Sequence, residues 1–194
     1  MKTLQAISLR VDPANAALVV IDIQERLAAA MPKERLARAV KGIRALVEMA
    51  RRFEVPVLVT QQYPKGLGTT IPEVEECFRG LDDLLHRFDK VEFSVCAAPP
   101  FEEVWKQIAR EQWLVTGMET HVCVYQTVRQ LAERGARVFV PVDTVLSRDD
   151  ESREVGLRLL ERCDAVATCS ETIIFDTLGK AEGEHFKALS KLIK

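Results

Sequence analysis

The sequence predicts an α/β fold in which a mainly parallel sheet of about six strands has helices on both of its faces. Two observations lead to this prediction. Several candidate strands, such as residues 17–22, are continuous apolar runs, which suit strands buried on both faces of a parallel sheet. Segments with apolar residues at helical spacing separate these runs, as in the strand–helix–strand crossover unit. No Gly-rich dinucleotide or P-loop motif is present, so those versions of the architecture are disfavoured.

The first half of the chain contains one complete crossover unit. Residues 17–22 form the first predicted strand, residues 32–53 form a helix that begins at a proline, and residues 55–60 form the second strand. The pattern then breaks down over residues 61–80, where glycine and proline indicate turns. A long loop after the carboxyl end of a strand is a place where open α/β sheets bind ligands. An ordinary surface excursion is an equally open interpretation.

The second half repeats the alternation. Residues 88–95 suit a short strand or an extended segment, and Gly135 is typical of a helix C-terminus. The remaining predicted elements are a helix over 99–111, a strand over 113–117, a helix over 120–134, a strand over 136–142, a helix over 149–162, a strand over 164–168 and a helix over 185–192. Because no linker, repeat or low-complexity tract interrupts this series, we expect a single domain over residues 1–194.

Composition excludes several classes of partner. The 194 residues carry a net charge of −2, which gives no electrostatic basis for binding nucleic acid or an anionic membrane. The N-terminus lacks the features of a signal peptide, and every apolar run is shorter than the ~20 residues that a membrane helix needs. The five cysteines form no C-x-x-C pair, so neither a disulfide framework nor a zinc ribbon fits. We therefore expect a cytoplasmic protein with free thiols.

Three reactive side chains lie at or near predicted strand ends, which meet along one edge of a parallel sheet. Asp22 ends the first strand, Lys90 lies in the third, and Cys123 lies in the first turn of the helix that follows the fourth. A helix N-terminus favours a thiolate, an ammonium stabilises it, and a carboxylate can accept the thiol proton. Each residue also has a simpler interpretation: a turn or cap residue, a solvated charge and a packed core thiol respectively.

The motifs around these residues resemble those of the isochorismatase-like cysteine hydrolases. Residues 22–24 match the D-x-Q opening of that family, Lys90 with Ser94 resembles its lysine segment, and residues 117–124 match G-x-x-T-x-x-C-V. The similarity follows the family order along nearly the whole chain. Residues 62–64 and 66–68 further resemble the subgroup called isochorismatase-domain-containing proteins, whose physiological substrates are poorly defined.

The resemblance implies a Rossmann-like three-layer α/β/α sandwich and a cysteine hydrolase that acts on a small carboxamide or related acyl compound through a thioester. The catalytic triad is then Asp22, Lys90 and Cys123, and the backbone amides of Glu119 and Cys123 form the oxyanion hole. The peptide bond between Met118 and Glu119 is expected to be cis. The resemblance also implies a homo-oligomer, no cofactor, and as candidate substrate contacts Gln24, Tyr63, Met118 and His121.

The sequence differs from those of nicotinamidases and isochorismatases at positions that bear on the choice of substrate. Nicotinamidases carry a metal site with two histidines in the loop after the second strand, but residues 61–80 contain no histidine, so we expect no metal. Nicotinamidases also usually have a small apolar residue where Glu119 stands, and the orientation of this acidic side chain is open. Isochorismatases lack the nucleophilic cysteine. His121 is equally well interpreted as a solvated residue at a helix start.

Two other hypotheses remain open. The chain could be a non-catalytic binding or scaffolding module that retains the triad by descent, or Cys123 could be a redox-sensing thiol.

Overall fold

The sheet is parallel throughout the part of the chain that the computed structural model describes, residues 9–193. Its strand order is β3-β2-β1-β4-β5-β7, and β6 pairs with the end of β4. The strands are β1 (Ala16–Ile21), β2 (Val57–Gln62), β3 (Leu85–Lys90), β4 (Gln112–Met118), β5 (Arg137–Pro141), β6 (Val145–Leu146) and β7 (Val166–Thr168). The predicted parallel sheet of about six strands is confirmed, and the two-residue β6 is an addition to it.

Helices cover both faces of the sheet, which makes the three-layer sandwich. They are α1 (Glu25–Ala29), α2 (Lys33–Arg52), α3 (Pro64–Leu67), α4 (Pro72–Glu75), α5 (Phe101–Ile108), α6 (Tyr125–Glu133), α7 (Asp150–Glu161), α8 (Ser170–Leu178) and α9 (Gly183–Ile193). One apolar layer contains Leu46 of α2 and Ile174 of α8, and the opposite layer contains Phe101 of α5 and Val128 of α6. No helix within residues 9–193 combines the length and apolar character needed to span a membrane.

Several elements differ from their predicted bounds for local reasons. The third strand is Leu85–Lys90 rather than 88–95, and its burial is irregular, so hydrophobic periodicity marked it poorly. Helix α5 ends early because Ala109 adopts a left-handed conformation with φ of 47°. Residues 61–80 contain α3 and α4 rather than irregular loop. Helix α8 was not predicted; Cys169 caps it by accepting a hydrogen bond from the Thr172 amide, a role more common for Ser, Thr, Asp or Asn.

The two central strands approach closely at their carboxyl ends. In the register of β1 and β4, Ile21 lies opposite Gly117. A Cβ atom on Gly117 would lie 2.1 Å from the Ile21 carbonyl oxygen, and the φ of Gly117 is +120°, so only glycine fits this position. Asp22 and the turn that leads to Cys123 follow directly from these two strand ends.

Candidate active site

Asp22 is a fully buried carboxylate at the end of β1. Its Oδ2 accepts a hydrogen bond from the Lys90 Nζ at 2.6 Å, and its Oδ1 accepts one from the Thr60 hydroxyl at 2.8 Å. The backbone φ of Asp22 is +52°, a left-handed conformation that costs a non-glycine residue roughly 1–3 kcal/mol and often occurs at functional sites. Asp22 is thus a turn residue, as one interpretation of the sequence had it, and its carboxylate is directed into the protein.

Lys90 is held by acceptors at the end of β3, and its side chain is fully buried. Besides Asp22, its Nζ donates to the Gln62 Oε1 at 2.7 Å and to the carbonyls of Glu92 and Phe93, each at 3.2 Å. A buried ammonium is tolerated only when it is paired and hydrogen-bonded in this way. Lys90 is therefore a buried ion-pair partner and not a solvated surface charge.

Gln24 and Gln62 form the support for this ion pair. The Gln24 amide donates to the carbonyls of Gln62 at 3.0 Å and Gly68 at 2.6 Å, and its oxygen accepts from the Gln62 backbone amide at 2.7 Å. Gln62 lies opposite Lys90 in the register of β2 and β3, and its side chain binds Lys90. The sequence analysis gave Gln62 no role. The signal available was its position at the end of a strand next to the one that carries Lys90.

Cys123 is buried in a π-helical segment, Thr120–Val124, that precedes α6. Burial, more than any other effect, raises the pKa of its thiol from 9.0 to about 12. The charge of Asp22 and a hydrogen bond to it act in the same direction, and Lys90 and the Glu119 backbone oppose them. This direction runs against the thiolate that a helix N-terminus favours, because desolvation of the buried sulfur disfavours its charged form. Cys123 rests as a thiol beside a carboxylate that can take its proton.

The turn before Cys123 has an unusual backbone. The Met118–Glu119 peptide bond is cis, at the position that the resemblance implied. The Glu119 carbonyl accepts hydrogen bonds from the amides of Val122 at 3.0 Å and Val124 at 3.2 Å. The five-residue spacing of the second bond is that of a π-helix, a structure often found at functional sites. The π-helical segment was not predicted, because the sequence indicated a regular helix from residue 120.

The Glu119 side chain points to Arg148. Its Oε1 accepts hydrogen bonds from the Arg148 backbone amide at 3.1 Å and Nε at 3.0 Å, and its Oε2 accepts from Nη2 at 2.8 Å. The Glu119 side chain is 7% exposed, whereas that of Arg148 is 62% exposed. The Glu119 carboxylate is therefore paired with a cation, Arg148, for which no role was predicted from the sequence.

The four candidate substrate contacts divide into two pairs. The Met118 side chain is fully buried in the apolar core, and the Gln24 side-chain amide donates to two backbone carbonyls. Contact of these two residues with a substrate stays a prediction. Tyr63 is 54% exposed, and the half-buried His121 has its Nδ1 at 3.0 Å from the Ser147 hydroxyl. Only these two remain available at the surface.

Metal binding has no support in the described part of the chain. Within residues 9–193, no group of three or more His, Cys, Asp or Glu side chains is placed to hold a metal ion.

The parallel sandwich with these side chains at its central strand ends defines an isochorismatase-type hydrolase fold. The isochorismatase domain matches residues 16–172, and the chain belongs to this family, which confirms the resemblance read from the motifs. The chain is 33% identical to human isochorismatase domain-containing protein 2 over 188 residues, which are 95% of this chain and 86% of the relative.

Two solved structures show the same fold. The structure of the MAR1 ribonuclease from Caenorhabditis elegans is 38% identical, with a TM-score of 0.85, and the match covers 95% of this chain and 92% of that one. The YcaC gene product of Escherichia coli, described as an octameric hydrolase of unknown specificity, is 19% identical with a TM-score of 0.84, over 95% of this chain and 89% of that one.

Proposed function

We propose that this protein is a cysteine-dependent hydrolase that cleaves a small carboxamide or related acyl compound through a thioester. The observation that carries the proposal is the fully buried ion pair of Asp22 and Lys90 beside the Cys123 thiol. Buried ion pairs contribute little net stability, because desolvation of both charges offsets their attraction. A pair that contacts a buried thiol is better explained by chemistry, with a base, a counter-charge and a nucleophile in one place.

The first stage forms the thioester. As the Cys123 sulfur attacks the acyl carbon, Asp22 accepts the thiol proton. A base is needed for this step because burial raises the pKa of the Cys123 thiol and so disfavours its ionisation before the attack. The amides of Glu119 and Cys123 stabilise the developing oxyanion, Asp22 returns its proton to the leaving nitrogen, and the C–N bond breaks.

The second stage regenerates the protein. Asp22 accepts a proton from a water molecule as the water oxygen attacks the thioester carbonyl, and the C–S bond then breaks. Asp22 gives this proton to the sulfur, which restores both the Cys123 thiol and the Asp22 carboxylate, and the product leaves as a carboxylic acid. Lys90 stays hydrogen-bonded to Asp22 through both stages and stabilises its charge.

The test is a panel of small amides assayed for ammonia or amine release. We expect Cys123→Ala to abolish turnover and Asp22→Asn to lower kcat by roughly 10²–10⁴-fold, the usual contribution of a general base. Cys96→Ala is the matched control, because Cys96 is an equally buried thiol whose pKa is also raised to about 12. Acid quenching and intact mass measurement should show the acyl group on Cys123. Turnover that survives Cys123→Ala would contradict the proposal.

The same panel separates the alternatives. A non-catalytic binding module would turn over no amide and would accumulate no acyl adduct. A redox-sensing thiol would change its oxidation state with peroxide but would leave amides intact. RNA belongs in the panel as a second substrate class, because the relative from C. elegans with 38% identity is described as a ribonuclease. The net charge of −2 gives little attraction for a polyanion, so we place amide hydrolysis first.

We also propose a cytoplasmic homo-oligomer. The five cysteines are free thiols, as in proteins of reducing compartments, and the octameric state described for the E. coli neighbour supports assembly of copies of this fold. Light scattering coupled to gel filtration tests the assembly, and a monomer at micromolar concentration would contradict it.

A further inference from the structure

We propose that Arg148 is a positioning residue for the reaction: through its ion pair with Glu119, it holds the Glu119 backbone amide in the orientation that serves the Cys123 sulfur. The inference rests on the proposed function and concerns a residue that does not touch the triad. Arg148 lies outside the family motifs found in the sequence, and its partner carboxylate is one residue beyond the strand end that leads to Cys123.

The contact between the two residues is specific rather than a loose surface pair. One arginine supplies three donors, two from its side chain and one from its backbone, to both oxygens of a carboxylate that is 7% exposed. Guanidinium groups that bind a carboxylate through two nitrogens fix its geometry as well as its charge. These contacts restrain the Glu119 carboxylate and, through the side chain, limit the conformations open to the Glu119 backbone.

The segment that carries Arg148 is itself anchored to the strand before the turn. Strand β6 pairs Val145 with Gly117 and Leu146 with Met118, and the Gly117 amide also donates to the Thr144 carbonyl at 3.0 Å. Immediately after β6, the Ser147 hydroxyl contacts His121 at 3.0 Å and Arg148 contacts Glu119. Residues 144–148 thus contact the turn at Gly117, Met118, Glu119 and His121.

Electrostatics gives Arg148 a second effect on the same group. An oxyanion that forms near the Glu119 amide would be repelled by an unpaired carboxylate on the same residue. The ion pair with Arg148 offsets that charge, so the Glu119 backbone amide can donate a hydrogen bond to an oxyanion that the Glu119 carboxylate would otherwise repel. Loss of Arg148 should consequently harm the transition state more than the binding of a neutral amide.

The experiment measures oxyanion stabilisation without a known substrate. A small aldehyde, ¹³C-labelled acetaldehyde, adds to the Cys123 thiol so that the S–C bond forms, Asp22 accepts the thiol proton, and the C=O π bond opens to leave the aldehyde oxygen as an oxyanion beside the Glu119 amide. We expect Arg148→Gln to weaken this thiohemiacetal at least about tenfold, less than the roughly 10²–10³-fold loss that follows removal of an oxyanion donor itself, because the Glu119 amide is misplaced rather than removed. Alkylation of Cys123 by iodoacetamide, which develops no oxyanion, should change less than about twofold and shows that the variant is folded with an accessible thiol.

Three further variants define the cause. Arg158→Gln is the matched control, because this arginine forms an exposed pair with Glu154 on α7 and should behave as the wild type. Arg148→Lys keeps the charge but not the two-nitrogen contact, so it should recover part of the loss. The double variant Glu119→Gln with Arg148→Gln removes the unpaired carboxylate and should bind the aldehyde more tightly than Arg148→Gln alone.

The outcomes separate the inference from the function on which it rests. If wild type forms the thiohemiacetal and Arg148→Gln forms it with unchanged affinity, the proposed role of Arg148 is overturned. The proposed role of Cys123 as the nucleophile would then still stand. If wild-type Cys123 forms no thiohemiacetal at all, the proposed function and this inference both fail. With an active amide in hand, the same variant should lower kcat with little change in KM, and a loss confined to KM would also overturn the inference.

Discussion

The two flanks of the candidate site each contain an ion pair, but the pairs differ in their exposure to solvent. On the β2–β3 flank, Lys90 and Asp22 both have side chains with 0% exposure. On the β4–β6 flank, Glu119 is 7% exposed and Arg148 is 62% exposed. Water screens the second pair more than the first, because only Arg148 is exposed, so the first pair can act more strongly on the neighbouring thiol. The proposed chemical role of the first pair and the proposed positioning role of the second follow this difference in exposure.

Lys90→Met gives the largest expected effect. It leaves the Asp22 carboxylate buried without its cation, and breaking a buried pair in this way lowers the free energy of unfolding by about 3–5 kcal/mol. Urea denaturation measures the change. Arg158→Gln, which removes one partner of an exposed pair, should change the free energy of unfolding by no more than about 1 kcal/mol.

A double variant sharpens this result. Asp22→Asn combined with Lys90→Met removes both charges, so it should lose less stability than Lys90→Met alone. Equal losses for Lys90→Met and Arg148→Gln would show that the flanks do not differ as described.

Gln24→Ala tests the support of the buried flank. The variant removes the partners of the Gln62 backbone amide and of two carbonyls, and a buried group left unsatisfied costs roughly 1–3 kcal/mol. We expect lower stability and faster hydrogen exchange at the Gln62 amide. Gln107→Ala is the control, because its exposed side chain bonds only to Glu103 among the contacts of the described chain. Unchanged exchange at Gln62 would contradict the positioning role of Gln24.

Gly156→Ala tests the other flank and has the smallest expected effect. A Cβ atom on Gly156 would lie 2.9 Å from the His121 nitrogen, so α7 would have to move away from the turn that carries Cys123. Alanine normally stabilises a helix relative to glycine, but here overpacking should lower the free energy of unfolding by about 1–3 kcal/mol. Chemical shifts of the His121 and Cys123 amides should also change. Glu154→Ala on the exposed side of α7 is the control, and a stabilised Gly156→Ala protein would refute the close contact.

The sequence was most informative where residues follow a hydrophobic pattern or form a motif. Continuous apolar runs predicted the central strands, and strand ends placed Asp22, Lys90 and Cys123 on one edge of the sheet. It was least informative where a contact joins segments without a pattern. Arg148 lies in a short connection after the two-residue β6, and no sequence pattern there indicates that its guanidinium group binds Glu119. The burial that raises the pKa of Cys123 was also not predictable from the sequence, because it depends on packing around the turn and not on the place of the residue in a helix.

The pairing of β1 with β4 has a consequence for the folding chain. Asp22 and Cys123 are distant in sequence, and they become neighbours only when these two central strands align with Gly117 against Ile21. A chain in which that pairing has not formed carries a thiol without a base, so it cannot perform the proposed acyl transfer. Acylation of Cys123 should therefore become possible when the central strands pair. An acylating probe whose reaction depends on Asp22 would then report when a refolding molecule completes the centre of its sheet.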